Sequence, residues 1–241
     1  LHPYYPSWIQ NVDKQGRPVC YRVFGKFDVP KILESIEMDN FVKFHVFETE
    51  MALRAAKCSS RKLGYNIEAC TIVVDVQGWG MHLATADALE FIKKMVSADN
   101  IHFSERMGQM LLVNAPWSFS TLWMLLYPML DPITTAKIQI ISSRSAWEKK
   151  LFEIVDQSLV PREFGGHAPD LTPLQQVISL HTAGMDWEEA KETELKFIRQ
   201  REEMFSHVVR TNPVHDVQEY VPVLETTVSR KGKFKNIVYS H

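Results

Sequence analysis

Cys70-Thr71-Ile72-Val73-Val74-Asp75 is a largely β-branched apolar run closed by an aspartate, and its reading decides the fold. Apolar residues follow one another without polar alternation, the pattern of a strand buried on both faces. Two later runs share this character, Met110-Leu111-Leu112-Val113-Asn114 and Ile138-Gln139-Ile140-Ile141-Ser142. An earlier one, Val19-Cys20-Tyr21-Arg22-Val23-Phe24, alternates better and reads as a more exposed strand. Helical periodicity fills the intervals. Residues 38–63 place Phe41, Phe44, His45, Met51, Ala52 and Ala55 near a 3.6-residue repeat, with Glu48 as a polar break. Residues 84–96 repeat the pattern through Ala88, Leu89, Ile92 and Val96, and residues 147–155 through Trp147, Leu151, Ile154 and Val155. Strands alternating with helices predict an α/β layered domain with a largely parallel sheet.

Composition narrows the function classes. Of 241 residues 45% are hydrophobic and 23% charged, the balance of a folded globular chain. Lys and Arg number 27 against 29 Asp and Glu, so the basic footprint of a nucleic-acid binder is missing. Cys20, Cys58 and Cys70 form no C-x-x-C, suit a reducing compartment and offer no zinc site. No run approaches the roughly 20 apolar residues of a membrane span, and no signal-peptide pattern opens the chain, so a cytoplasmic protein is expected. The chain opens at Leu1 rather than methionine, so the natural protein is expected to start earlier.

Catalytic signatures are missing from the sequence. There is no G-x-G-x-x-G, no G-x-x-x-x-G-K-[ST] and no G-x-S-x-G elbow. Gln77-Gly78-Trp79-Gly80 reads as a plain strand-to-helix turn. The nine histidines show no metal-ligand spacing, and His45 and His82 read as core-edge or surface residues. Cys58 and Cys70 read as buried inert thiols. No enzymatic activity and no metal or cofactor are expected.

Residues 117–132, Trp-Ser-Phe-Ser-Thr-Leu-Trp-Met-Leu-Leu-Tyr-Pro-Met-Leu-Asp-Pro, would be apolar nearly all round as a helix. Two readings stand: a fully buried central helix, or a helix with one face on a cavity and another meeting a bilayer. Its prolines make it too short to span, so lying on a membrane is the only membrane option. Phe119, Leu122, Trp123 and Leu126 share one face at i, i+3, i+4 and i+7.

An ordered set of short motifs carries a family resemblance. It begins with Asp13-Lys14-Gln15-Gly16-Arg17-Pro18-Val19, then Thr71-Ile72-Val73-Val74-Asp75 with Gly78. It continues through Glu105-Arg106-Met107-Gly108, Val113-Asn114-Ala115-Pro116, Phe119-Ser120, Leu130-Asp131-Pro132, Thr134 and Lys137-Ile138. Leu159-Val160-Pro161-Arg162-Glu163-Phe164-Gly165-Gly166 closes it. In this order the chain resembles the CRAL-TRIO lipid-binding domains, which include phosphatidylinositol/phosphatidylcholine transfer proteins and tocopherol and retinal carriers.

The resemblance implies a sheet flooring a lipid-sized cavity under a mobile gate helix, here about residues 118–130, with Asp131-Pro132 as hinge. It implies that Glu105, Thr134 and Lys137 hold an inositol phosphate headgroup, and that Phe119, Leu122, Trp123 and Leu126 line the gate. A buried phosphate needs cationic and hydroxyl donors, so the residue types suit the task; the alternative for Glu105 and Lys137 is a structural ion pair. The sequence departs from the family at Phe103-Ser104, where Tyr-Pro is common. It departs again at Cys70 and Ile72, where the choline-lipid site draws Ser/Thr hydroxyls; Thr71 faces the other way.

The expected ligand is therefore one phospholipid, phosphatidylinositol or a related lipid, transferred or sensed by a cytoplasmic protein that touches membranes transiently. The alternatives are a protein-interaction module with a structural lipid, or a carrier of an apolar isoprenoid. Residues 1–170 are expected to form the lipid-binding domain. Residues 171–241 are expected to form an extension that could meet a protein partner: a charged helix over 186–209, then a hairpin of residues 220–224 and 234–239.

Overall fold

The computed structural model describes residues 4–103 and 105–185, together with residues 188–190, 192–193, 196 and 199. The predicted helix over 186–209, for its greater part, and the predicted hairpin lie outside the described residues. The chain divides into two units, Leu1–Thr193 and Glu194–His241, and the first is the one described below.

Five strands form one sheet: β1 (Ser7–Val12), β2 (Pro18–Val23), β3 (Cys70–Asp75), β4 (Met107–Val113) and β5 (Ile138–Ile141). They lie in the order β1-β2-β3-β4-β5. The β1/β2 pair is antiparallel and the other pairs are parallel. The helices are α1 (Val29–Leu33), α2 (Met38–Leu63), α3 (Ala86–His102), α4 (Phe119–Leu126), α5 (Pro132–Ala136), α6 (Arg144–Ile154) and α7 (Pro173–Thr182). This is the mixed α/β, largely parallel architecture that the strand and helix patterns imply.

The two sheet faces bury different partners. Val19, Tyr21, Val73 and Leu111 pack against Trp147 and Leu151 of α6. On the opposite face Val74 and Leu112 join Phe41 of α2, Phe91 of α3, and Phe119 and Leu122 of α4. Phe41 and Phe91 stack with ring centroids 3.8 Å apart, pinning α2 to α3.

Strand β2 corrects the sequence reading. Val19 and Tyr21 are fully buried and Arg22 is only 9% exposed, so this is an interior strand rather than a more exposed one. Its outer edge is covered by β1, which the hydropathy pattern did not separate, and α7 packs on β1. Alternation in β2 separates an apolar helix-facing side from a cavity-facing side carrying Cys20 and Arg22.

The β1–β2 turn is held by one carboxylate. Asp13 Oδ1 accepts from the backbone N–H of Gln15 and Arg17, both at 2.9 Å. Its Oδ2 accepts from Arg17 Nε at 2.8 Å and from the Thr71 hydroxyl at 2.7 Å. Gly16 sits at φ +80°, a left-handed turn position that L side chains rarely adopt. This network accounts for the Asp-x-x-Gly-Arg spacing and locks the turn to β3.

Candidate functional site

A cavity of about 540 Å³ lies between the second sheet face and α2, α3 and α4, within the 300–1,000 Å³ range of small-molecule sites. Period-2 geometry selects its floor. Cys70, Ile72 and Val74 of β3 line it, whereas Thr71 points through the sheet to Asp13. No hydroxyl therefore reaches the cavity from the Cys70 and Ile72 positions. Met110 and Leu112 of β4 and Ile138 of β5 extend the apolar surface.

Helix α4 forms one wall. Phe119, Leu122, Trp123 and Leu126, which share one face, all line the cavity, so this is the face that turns inward. On the outer side Met124 is 67% exposed and Leu125 55%, flanked by Trp117 at 90% and Tyr127 at 54%. Of the two sequence readings, the fully buried helix is excluded, because α4 is apolar toward the cavity and apolar toward solvent. Pro128 lies in a single tighter turn over Tyr127–Met129, where the α-helical ladder stops. Asn100 of α3 ties this segment down, donating to the Met129 carbonyl at 3.4 Å.

Asp131 caps α5. Its carboxylate accepts from the Thr134 hydroxyl and, at 2.8 Å, from the Thr134 N–H. These hydrogen bonds, the hydroxyl's first, hold the Asp131 carboxyl below the usual carboxylate range.

Glu105, Thr134 and Lys137 all line the cavity. Lys137 Nζ stands 3.3 Å from Glu105 Oε2, and both side chains are partly exposed. Glu105 is held at φ +64°, in the loop that leads into β4. The three groups predicted to meet a headgroup are thus brought together at a solvent-accessible margin of the apolar chamber.

A second polar group, buried except for Asp99, has no counterpart in the sequence reading. Arg22 of β2, His45 and Glu48 of α2, and Asp99 of α3 all line the cavity. His45 Nε2 lies 2.9 Å from Asp99 Oδ1. Glu48 Oε2 accepts from the Tyr5 hydroxyl at 3.2 Å and stands 3.7 Å from Arg22 Nη2. Burial, reinforced by the Glu48 carboxylate, pushes the Tyr5 hydroxyl far above its usual range, leaving it a neutral donor. Only His45 and Glu48, three residues apart on α2, share an element, so no single sequence spacing joins the four. The one available signal was a His and a Glu on the otherwise apolar face of residues 38–63.

Cys20 and Cys70 also meet on the floor. Cys70 Sγ donates to the Arg106 carbonyl at 3.7 Å, and the neighbouring Cys70 thiol together with burial pushes the Cys20 thiol up. Among the described residues no three His, Cys, Asp or Glu side chains cluster as a metal site, and no helix is long and apolar enough to cross a membrane.

Comparison with known proteins places these features in a family. The family model for the CRAL/TRIO domain matches residues 2–166. The chain is 34% identical over 165 residues to the phosphatidylinositol/phosphatidylcholine transfer protein SFH7 of Arabidopsis thaliana, covering 68% of this chain and 30% of that one. It is 31% identical over 166 residues to the SEC14 cytosolic factor of Kluyveromyces lactis, covering 68% of this chain and 54% of that one. The chain thus spans less than two thirds of these relatives. The crystal structure of Sfh5 superposes with a TM-score of 0.57 at 18% identity, covering 70% of this chain and 57% of that one, a likeness of fold.

Proposed function

The chain belongs to the CRAL/TRIO domain family, and on that premise we propose that it binds one membrane phospholipid, phosphatidylinositol or a close relative, and moves it between membranes without chemical change. The observation that carries this reading is the two-sided apolarity of α4. Its inner face closes the cavity through Leu122 and Leu126, while Met124 and Leu125 are presented outward.

A lipid chain leaving such a chamber into water would lose about 0.8 kcal/mol for each buried methylene. Exchange is therefore expected only where the outer face of α4 rests on a bilayer, so that the chain passes from one apolar medium to another. In this reading α4 is the gate, the segment around Asp131 and Pro132 its hinge, and contact with the membrane is transient and peripheral. Glu105, Thr134 and Lys137 receive the headgroup, the lysine ammonium taking the phosphate and the carboxylate accepting from inositol hydroxyls. The bound phospholipid is cargo, and no cofactor is invoked. Names of the relatives, among them a cytosolic factor, support a cytoplasmic setting. Residues 1–170 would be the lipid-binding domain and residues 171–241 an extension with room for a protein partner.

The test is transfer of labelled phosphatidylinositol from donor to acceptor vesicles by the full chain. Protein-dependent transfer is expected. A rate equal to spontaneous exchange overturns the reading.

A further inference from the structure

We propose that Leu180 of α7 is the end stop of an acyl-chain track across the cavity floor and sets the longest lipid chain the protein accepts. The proposal rests on the lipid-carrier reading above and adds a chain-length limit to it.

Strand register lays the track. Ile9 of β1 is opposite Cys20 of β2, Cys20 opposite Ile72 of β3, Ile72 opposite Met110 of β4, and Met110 opposite Ile138 of β5. All five line the cavity, so one row of apolar side chains crosses the whole sheet on one face. Four strand spacings make the row about 19 Å long. Polar side chains stay off it: Ser7 and Arg22 face each other two residues along β1 and β2, roughly 6–7 Å away. On α2 the same division is one helical turn, since Glu48 stands beside Arg22 whereas Ala52 packs with Cys20 and Cys70.

The two ends of the row are unlike. At β5 the residue before Ile138 is Lys137, which with Glu105 and Thr134 forms the polar margin where the headgroup is received. At β1 the row runs into α7. The Ile9 N–H donates to Ser179 Oγ at 3.3 Å, and the following residue, Leu180, is buried and lines the cavity. The stop is held firmly. Thr172 and Gln175 close a capping box at the start of α7, and the His181 ring lies 5.0 Å from that of Phe47 on α2. Just beyond α7, Gly184 comes so close to α2 that an added Cβ would stand 2.6 Å from the Arg54 carbonyl oxygen. Helix α7 follows the residues that the CRAL/TRIO family model matches, 2–166, so the stop is a feature of this chain outside that match.

The consequence for selectivity is one-sided. A methylene is as apolar in a bilayer as in the track, so chains that fit are taken from a membrane without regard to length. Each methylene past the stop has no apolar place, and lowers occupancy about fourfold.

The experiment loads the full chain from fluid dioleoyl phosphatidylcholine vesicles. They hold a dilute equimolar series of phosphatidylinositols and phosphatidylcholines with saturated chains from dodecanoyl to docosanoyl, and bound species are read by mass spectrometry. Wild type should follow the vesicle composition up to one length, then fall about fourfold for each further methylene. Leu180→Ala should raise the first excluded species about tenfold relative to the last accepted one. Leu180→Met, nearly equal in volume, should leave the limit where it is. Should Leu180→Ala fail to fold, Ile9→Val, one methyl shorter at the same end, should give a shift of the same sign of up to about fourfold. A wild-type profile with no limit overturns this inference alone, as does a limit that folded Leu180→Ala or, in its stead, Ile9→Val leaves unchanged. Absence of bound phospholipid of either class overturns the carrier reading beneath it.

Discussion

Replacing Met124 and Leu125 together with serine should detach the protein from bilayers while leaving it folded. Fully burying a Met or Leu side chain contributes about 1.5–3 kcal/mol. Met124 is already 67% exposed and Leu125 55%, so those shares remain available to a membrane. Together they amount to roughly 2–3.5 kcal/mol, a loss of about thirty-fold or more in vesicle partition. Because neither side chain is in the core, the folded chain should lose no more than about 0.5 kcal/mol per site. Co-sedimentation with neutral vesicles measures the partition, and urea unfolding checks the fold. Lipid already inside should stay there, since Leu122 and Leu126 still close the chamber. Unchanged co-sedimentation of a folded double variant would refute the argument that the outer face of α4 meets the bilayer.

Lys137→Ala should reduce phosphatidylinositol transfer more than phosphatidylcholine transfer. Its thermal midpoint should hardly move, because a partly exposed pair such as Lys137–Glu105 adds at most about 1 kcal/mol. Thr71→Val removes one donor from the buried Asp13 carboxylate and should cost about 1.5–3 kcal/mol in urea unfolding; full stability would show that the turn network is not a source of it. Asp131 carries a pH dependence: its folded pKa lies below the unfolded one, so its contribution is present above about pH 4 and lost as pH falls through the folded value. Asp131→Asn should therefore flatten the acid limb of the stability curve, and an identical limb in the variant would count against the cap.

Legibility in the sequence followed the range of the forces involved. The strand Cys70–Asp75 and the helix Met38–Leu63 have the bounds read from hydropathy, because burial on both faces and a long 3.6-residue repeat are local signals. That Phe119, Leu122, Trp123 and Leu126 share one face of α4 followed from i, i+3, i+4, i+7 spacing, whereas which face turns inward depends on what packs nearby. Strand β1 was missed because Asn11 is left-handed at φ 61° and the register with β2 shifts between Ile9 and Val12, which breaks the repeat. Helix α7 was missed although its signal was present: Thr172, Pro173 and Gln175 form a capping box with proline in the first turn. At the candidate site, Glu105, Thr134 and Lys137 came from family motifs alone. The Arg22–Glu48–His45–Asp99 cluster was illegible because tertiary packing of β2, α2 and α3 assembles it.

Native mass spectrometry of the full chain, purified without detergent from a cell extract, tests lipid carriage most directly. The account predicts a one-to-one adduct with the mass of a phosphorus-containing lipid, released on denaturation and identified by fragmentation. A population at the bare protein mass, unchanged after incubation with phospholipid vesicles, would contradict it.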